Sequence, residues 1–263
     1  MYLLIDGSNW FAQCDYASPD SGTRNLLGRL ETLRSQVDHT LIAVCWDEGQ
    51  SFRVGISSKY KAHRASKPDG YHTRLSHARV AVGSLPGVLS VAESGCEADD
   101  LIATLVRCAH DEGERAVIFS ADRDLYQLLV DGRVSQVTQV NRISRQALQF
   151  VTMTAERLKQ KFKVTAEQWI DYRAIIGDKS DGIDGCPGLG PIAASNVLTS
   201  CGTLEGFYRS PLSPKLTPRQ REALLAYRPQ LPDKRRLLTL VDDCVTAIDG
   251  VAGLRAPTRE PVR

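Results

Sequence analysis

The stretch "GCEADDLIATLVRCAH", residues 95–110, gathers Glu97, Asp99 and Asp100 directly ahead of an apolar stripe. Ala98, Leu101, Ile102, Leu105, Val106 and Ala109 recur at 3.6-residue spacing, which predicts an amphipathic helix over about 97–112. Carboxylates are favoured at a helix start, where unpaired N–H groups carry partial positive charge. Ser94 followed by Glu97 has the spacing of a capping box. Capping accounts for one or two of these acids, and the remainder of the chain has to explain the others.

Working outward, "MYLLID" is a short apolar run ending in Asp6, and "TLIAVCWDE" is a second reaching Asp47. "RAVIFSADRD" is a third, reaching Asp122 and Asp124. A helical pattern over 24–36 separates the first two. Strands alternating with helices predict a parallel α/β sheet. In such a sheet the carboxyl ends of the strands share one edge, where ligands bind. Asp6, Asp47, Asp122 and Asp124 should therefore meet, and the start of the helix at Glu97 belongs to the same edge.

Residues 53–79 carry seven Lys and Arg against one Asp, with tyrosines, histidines and a Pro-Asp-Gly turn. By itself this reads as a solvated loop. His63, His72 and His77 lack metal-ligand spacing. After about residue 141 the pattern turns helical. Thr165 and Gln168 have capping-box spacing ahead of "WIDYRAII", which closes at Gly177. "GIDGCPGLGPIAASNVL" then sets four glycines and two prolines between two helices, a turn that can offer backbone N–H groups to phosphate. The stretch 212–240 is basic and helical in pattern, and the Pro- and Arg-rich tail 251–263 is expected to be loose.

The chain has 263 residues, 42% of them hydrophobic and 24% charged, as in an ordinary globular protein with a sizeable core. No apolar run is long enough to span a membrane, and "MYLLIDGSNW" does not read as a signal peptide. Seven cysteines without a CxxC pair suggest reduced thiols in a cytoplasmic protein rather than a disulfide framework or zinc site. Cys45, Cys96 and Cys108 read as packing residues. The formal charge is +2; setting nine acids aside (Asp6, Asp47, Glu97, Asp99, Asp100, Asp122, Asp124, Asp178 and Asp181) leaves +11 on everything else. An acidic pit in a basic body suits a metal-bearing site facing a polyanion.

The ordered set "LIDGSN", "CWDE", "SFR…KYKAHR", "CEADDLIA", "SADRDLYQLL" and "DYRAIIGDKSDGIDGCPGLG" resembles the 5′-nuclease, or flap endonuclease, family, in its bacterial and phage forms. The resemblance runs over roughly residues 1–245. It implies a PIN-like catalytic domain over 1–141 with an arch loop at 53–85. A helix-three-turn-helix DNA-binding region is implied over 142–250. It implies two Mg²⁺ ions, with Mn²⁺ accepted in their place. Asp6, Asp47, Glu97, Asp99 and Asp100 match the motifs of the first metal site and its surroundings, and Asp122, Asp124, Asp178 and Asp181 those of the second. Lys61 and Arg64 match the cationic pair that reaches the scissile phosphate, with Tyr60 placed to stack on a base. Arg53, Lys59 and Lys67 would guide a 5′ end, and Gly185, Gly188 and Gly190 would grip duplex phosphates. K⁺ would sit on the turn near Cys186 and Leu189. The implied activity is 5′→3′ exonucleolytic and flap-endonucleolytic hydrolysis of DNA, leaving a 5′-phosphate; a monomer is expected, and, from the sequence ending soon after the nuclease module, no fused polymerase.

Two departures from the family pattern fall on the glycine turn. Gly182-Ile183-Asp184-Gly185 stands where relatives commonly read N-x-P-G, and Ile192-Ala193-Ala194 where many have Lys-Thr-Ala. All nine acidic positions are intact. Independently of any family, two carboxylates 4 Å apart repel by about 4 kcal/mol at an effective dielectric near 20, so nine on one edge require cations. Mg²⁺ takes oxygen ligands and retains water, and a metal pair can activate water and stabilise a phosphodiester's leaving oxygen. Lys61 and Arg64, three apart, would share one face of a helix.

Three other readings compete. A PIN-type ribonuclease would share the sheet and acids, but such small enzymes generally lack the Gly-rich module at 177–195 and "GDKSD". A non-catalytic binder of branched nucleic acid has no need of the complete acid set beside Lys61 and Arg64. A dinucleotide enzyme would need GxGxxG after the first strand, which is missing.

Overall fold

The computed structural model describes residues 1–144, 147–212 and 215–255. In chain order, β1 (Tyr2–Asp6), α1 (Gly7–Ala17), α2 (Gly22–Gln36), β2 (Leu41–Trp46), α3 (Arg53–Ile56), α4 (Tyr71–Gly83), β3 (Val88–Ala92), α5 (Ala98–Asp111) and β4 (Ala116–Phe119) lead to β5 (Val134–Ser144) and β6 (Ala147–Met153). The helical part follows: α6 (Ala155–Phe162), α7 (Trp169–Ile176), α8 (Pro191–Cys201), α9 (Leu204–Arg209), α10 (Pro218–Tyr227), α11 (Leu231–Leu238) and α12 (Val245–Arg255).

The six strands form one sheet in the order β3-β2-β1-β4-β5-β6, parallel except for the final β5–β6 pair. The three apolar runs read from sequence are β1, β2 and β4. Their near-continuous hydrophobicity follows from burial on both faces. Tyr2, Leu4, Leu41, Ala43 and Cys45 face a core built with α5 and α12, whereas Leu3, Ile5, Ile42, Val44 and Trp46 face one built with α1, α2 and α4. A third core, around Trp169, Tyr172, Phe207 and Tyr227, belongs to the helical part.

Several expectations are corrected. The chain does not turn helical at 141: β5 runs through that position, and β6 pairs antiparallel with it. The N-cap of α5 is Glu97 rather than Ser94, and Asp100 returns a carboxylate to the Glu97 N–H at 3.1 Å, so the capping box lies one turn later than the sequence spacing suggested. Gln168 does reach back to the Thr165 N–H at 3.0 Å, but α7 itself starts at Trp169. The tail is helical through Arg255, because α12 has a face to bury against β3 and α5; the part of the expected loose tail at 256–263 lies outside the described residues. Within the arch segment, α4 packs Tyr71, Ala78 and Val82 into the core. Among the described residues no helix is long and apolar enough to cross a membrane.

Candidate active site

Strand ends position the first acids. β1 terminates in Asp6, whose carboxylate becomes the N-cap of α1, accepting from the Asn9 N–H at 2.8 Å and from the Ser120 hydroxyl at 2.8 Å. β2 delivers Asp47, which accepts from the Ala98 N–H at 2.9 Å and thereby ties the β2 end to the first turn of α5. After β4, the Gln136 amide donates to the carbonyls of Ser120 and Asp122, at 2.8 and 2.6 Å, and shapes the loop carrying Asp122 and Asp124. Asp122 in turn accepts from the Asp124 N–H at 2.9 Å.

The C-terminal acids sit in a tight loop after α7. Gly177 closes that helix at φ +76°, where a side chain would also strike the Gly185 and Ile183 backbone. Asp178 and Ile183 then exchange two backbone hydrogen bonds, at 2.7 and 2.8 Å. Ser180 donates to the Asp178 carboxylate through both N–H and hydroxyl. Oxygens of Asp124, Asp178 and Asp181 lie within 4.8 Å of one another. Arg173 reaches across this trio, 3.0 Å from Asp124 and in contact with Asp178.

Several of these acids perturb one another's titration. Burial, then Asp47 and Asp122, push the Asp6 carboxyl up to about 7. Burial, then Asp122, push Asp124 up to about 7. Burial, with Asp122, Asp6 and Asp47, holds Asp99 well above the usual range, and burial raises Asp122. Glu97 and Asp178 are shifted the other way. Burial would raise each, but it is outweighed by Lys61 at Glu97 and by Ser180 and Arg173 at Asp178.

The nine acids are thus not equivalent. Asp6, Asp47, Asp99 and Asp122 interact as one group, and Asp124, Asp178 and Asp181 as another, with Asp122 adjoining both. Glu97 is engaged by Lys61, by Arg53 at 2.9 Å and by the Tyr60 hydroxyl at 2.8 Å. Asp100 is fully buried and spent on a bidentate pair with Arg53, at 2.7 and 2.8 Å, and on the N–H groups of Glu97 and Val241.

The cationic residues also divide. Arg53, expected to meet DNA, is 1% exposed and donates to Glu97, Asp100 and the carbonyls of Leu237 and Thr239; burial removes it from any DNA-facing surface. Tyr60 is also buried, in the helical core with its hydroxyl on Glu97, so its ring is not free to stack on a base. Lys61 and Arg64 lie in a series of turns rather than a helix, Lys61 at φ +55°. They nevertheless meet the acids, Lys61 at Glu97 and Arg64 at Asp181, 2.5 Å away. Lys59 and Lys67 are exposed, the latter over the rings of Tyr71 and Tyr16.

In the glycine turn, Gly185 is required by close packing on the Ile175–Gly177 backbone. Gly188, at φ +77°, and Gly190 face open space. Cys186 and Leu189 are buried, and the Cys186 carbonyl accepts from the Leu189 N–H at 3.2 Å. Sequence reasoning missed Arg173, Ser120, Ser180 and Gln136. Arg173 lies five positions before Asp178, a spacing that gives no helical-face signal, and the others are small or neutral groups whose roles depend on loop shape.

The family model of the 5′-3′ exonuclease N-terminal resolvase-like domain matches residues 1–163, and that of the 5′-3′ exonuclease C-terminal SAM fold matches residues 164–258. DNA polymerase I of Deinococcus radiodurans is 36% identical over 225 residues, covering 82% of this chain and 22% of that protein. The thermostable DNA polymerase I of Thermus aquaticus is 33% identical over 234 residues, covering 89% and 26%. The chain thus spans about a quarter of the length of the curated relatives it matches. Among solved structures, the phage T5 5′-exonuclease with bound zinc superposes with a TM-score of 0.77 at 22% identity, covering 95% of this chain and 93% of that one. The T5 D15 flap endonuclease in complex with DNA and metal ions gives 0.74 at 21%, covering 97% and 93%. At such identities the likeness is one of fold: a PIN-like, resolvase-type sheet followed by a SAM-like helical domain.

Proposed function

This chain belongs to the 5′-3′ exonuclease family, and from that premise we propose that it is a metal-dependent 5′→3′ exonuclease and structure-specific 5′-flap endonuclease acting on DNA. It would hydrolyse phosphodiesters by a two-metal mechanism and leave a 5′-phosphate. The observation that carries this reading is the cluster of Asp124, Asp178 and Asp181 oxygens within 4.8 Å of one another, next to Asp6, Asp47, Asp99 and Asp122 at the strand ends and the start of α5, with Arg64 paired to Asp181 and Lys61 to Glu97 from the arch base.

The donor set fits hard divalent cations. Every candidate ligand is a carboxylate oxygen, the chemistry Mg²⁺ requires, and burial followed by mutual repulsion raises the carboxyls of Asp6, Asp99 and Asp124, a cost that bound cations would relieve. Asp6, Asp47, Asp99 and Asp122 would hold one ion, and Asp124, Asp178 and Asp181 a second, with Mn²⁺ able to replace either. When bound, such ions supply Lewis acidity and lower the pKa of water. Glu97 orients Lys61 toward the acids, and Asp100 serves as the buried anchor of Arg53 rather than as a ligand.

The chain's own cations supply the rest. Lys61 and Arg64 would transfer from carboxylates to the oxygens of an arriving phosphodiester, offsetting negative charge that grows in the transition state. Arg173 holds Asp124 and Asp178 at their spacing. Lys59 and Lys67 would attract a single-stranded 5′ end. Open backbone at Gly188 and Gly190 would admit duplex phosphates without reading bases, with K⁺ on carbonyls near Cys186 and Leu189.

A cleavage assay with and without Mg²⁺ on 5′-flap, nicked duplex, single-stranded DNA and RNA tests this reading. The expected result is Mg²⁺-dependent cutting of the flap and nicked DNA, lost in Asp181→Ala while DNA binding persists. Preferential cutting of RNA without need of a 5′ end would favour the ribonuclease reading. Binding without cleavage would favour the non-catalytic one.

A further inference from the structure

Away from the acidic basin, a second ligand set has formed. Glu93 and Cys96 lie between β3 and α5, and Cys244 immediately precedes α12. Their ligand atoms fall within 4.8 Å of one another. The two sulfurs are 3.4 Å apart although their residues are separated by 148 positions. Both thiols are free.

We propose that Glu93, Cys96 and Cys244 form a structural site for a thiophilic d¹⁰ divalent cation, Zn²⁺, which fastens the start of α12 to the β3–α5 turn. Two thiolates and a carboxylate are a donor set that zinc accepts and magnesium does not. With Zn–S bonds of about 2.3 Å, tetrahedral sulfurs lie roughly 3.8 Å apart, so the 3.4 Å separation needs only a slight opening. A disulfide would instead require contraction to about 2.05 Å. Glu93 is held in place through one oxygen, Oε2, which accepts from the Thr246 N–H at 2.9 Å and its hydroxyl at 2.8 Å. Such outer contacts are how proteins orient metal ligands. Cys244 is fixed through its backbone N–H on Thr104 Oγ1, at 3.1 Å. Glu93 and Cys96 are partly exposed, so water would complete the coordination. Binding releases the two thiol protons to solvent, with no change of oxidation state.

The site is distinct in chemistry from the all-oxygen basin, so its test does not depend on nuclease activity. Metal-free full-length protein is titrated with Co²⁺, whose bonds to thiolate give an intense near-ultraviolet charge-transfer band that carboxylate sites cannot produce. One equivalent of band is expected, displaced by Zn²⁺. It should be absent from Cys96→Ser and Cys244→Ser and unchanged in Cys108→Ser. In Glu93→Gln it should remain, with affinity lower by on the order of tenfold. Because the serine variants could fail to fold, Zn²⁺ is also added to the wild-type protein during alkylation. Protection of Cys96 by about tenfold is expected, since the coordinated thiolate is not a free nucleophile. No band in folded wild-type protein, a band that survives both serine substitutions, or unprotected Cys96 would each overturn the proposal. So would isolation of Cys96 and Cys244 as a disulfide that takes up no cation.

Discussion

At Asp99 and Asp100, a rotation of about 100° per helical residue sends two identical side chains into opposite environments. Asp99 turns toward Asp6 and Asp122, and Asp100 turns inward to Arg53. Asp99→Asn is therefore expected to lower cleavage by orders of magnitude with little loss of stability. Asp100→Ala takes from the buried Arg53 guanidinium its bidentate partner, leaving it Glu97 and two carbonyls, and should cost about 3 kcal/mol, a Tm drop on the order of 10 °C. Thermal melts beside single-turnover rates check the contrast. A pH prediction belongs to the same scale. Burial, with the neighbouring acids, raises the carboxyls of Asp6 and Asp124 to about 7 in the folded protein from the ordinary value of 3.8. The folded state thus binds more protons than the unfolded chain between these values, and stability falls as pH rises through the interval. Glu97 and Asp178, shifted downward, lose their contribution only at acid pH. Melts in chelator should show Tm declining from about pH 5 to about pH 7.5. Mg²⁺ should abolish the decline, and Asp6→Asn should shallow it.

Among the elements, the arch base and the α7–α8 connection depend on each other. The Lys61 N–H donates to the Asp181 carbonyl at 2.9 Å, and Gly182 lies so close to the Lys59 carbonyl that a Cβ would approach it to 2.5 Å, at φ +71°. The glycine is dictated by this contact as well as by its own turn. Gly182→Ala should push the arch base away from the acids, lowering kcat with a smaller change in DNA affinity. Lys61→Ala should act in the same direction and more strongly, slowing cleavage at saturating substrate by orders of magnitude. If only affinity fell in Lys61→Ala, its charge would be serving binding alone. The family resemblance assigned Lys61 and Arg64 to the scissile phosphate, with one shared helical face expected for them; in the structure they pair with Glu97 and Asp181. They reach the basin from successive turns stabilised by Asp181 and Ser180, not from a shared helical face.

Across the whole molecule, the chain after α11 returns to the catalytic sheet. Arg53 donates to Leu237 and Thr239, Gln127 exchanges hydrogen bonds with Leu238 and Leu240, and Ala247 and Val251 of α12 enter the α5 core. The two parts matched by separate family models are consequently stitched together, and thermal unfolding should occur as one transition. At Gly250 a Cβ would come within 2.7 Å of Leu89. Gly250→Val should therefore destabilise the whole chain by about 1–3 kcal/mol through overpacking, with cleavage per folded molecule unchanged. Two separated transitions by calorimetry would contradict this coupling.

The sequence by itself determined the parallel α/β class, three of the six strands among the described residues, the helix at 98–111, and the meeting of Asp6, Asp47, Asp122 and Asp124 at one edge. Burial on both faces and helical periodicity are local patterns, and a parallel sheet has only one edge to which its strand ends can lead. Only the tertiary structure decided that Asp100 and Arg53 anchor one another, that Tyr60 is core, that Arg173 bridges two acids, and that Cys96 meets Cys244. Each of those outcomes turns on which partner a polar group meets across a long separation in the chain. That is set by packing and desolvation, and no spacing along the sequence records it.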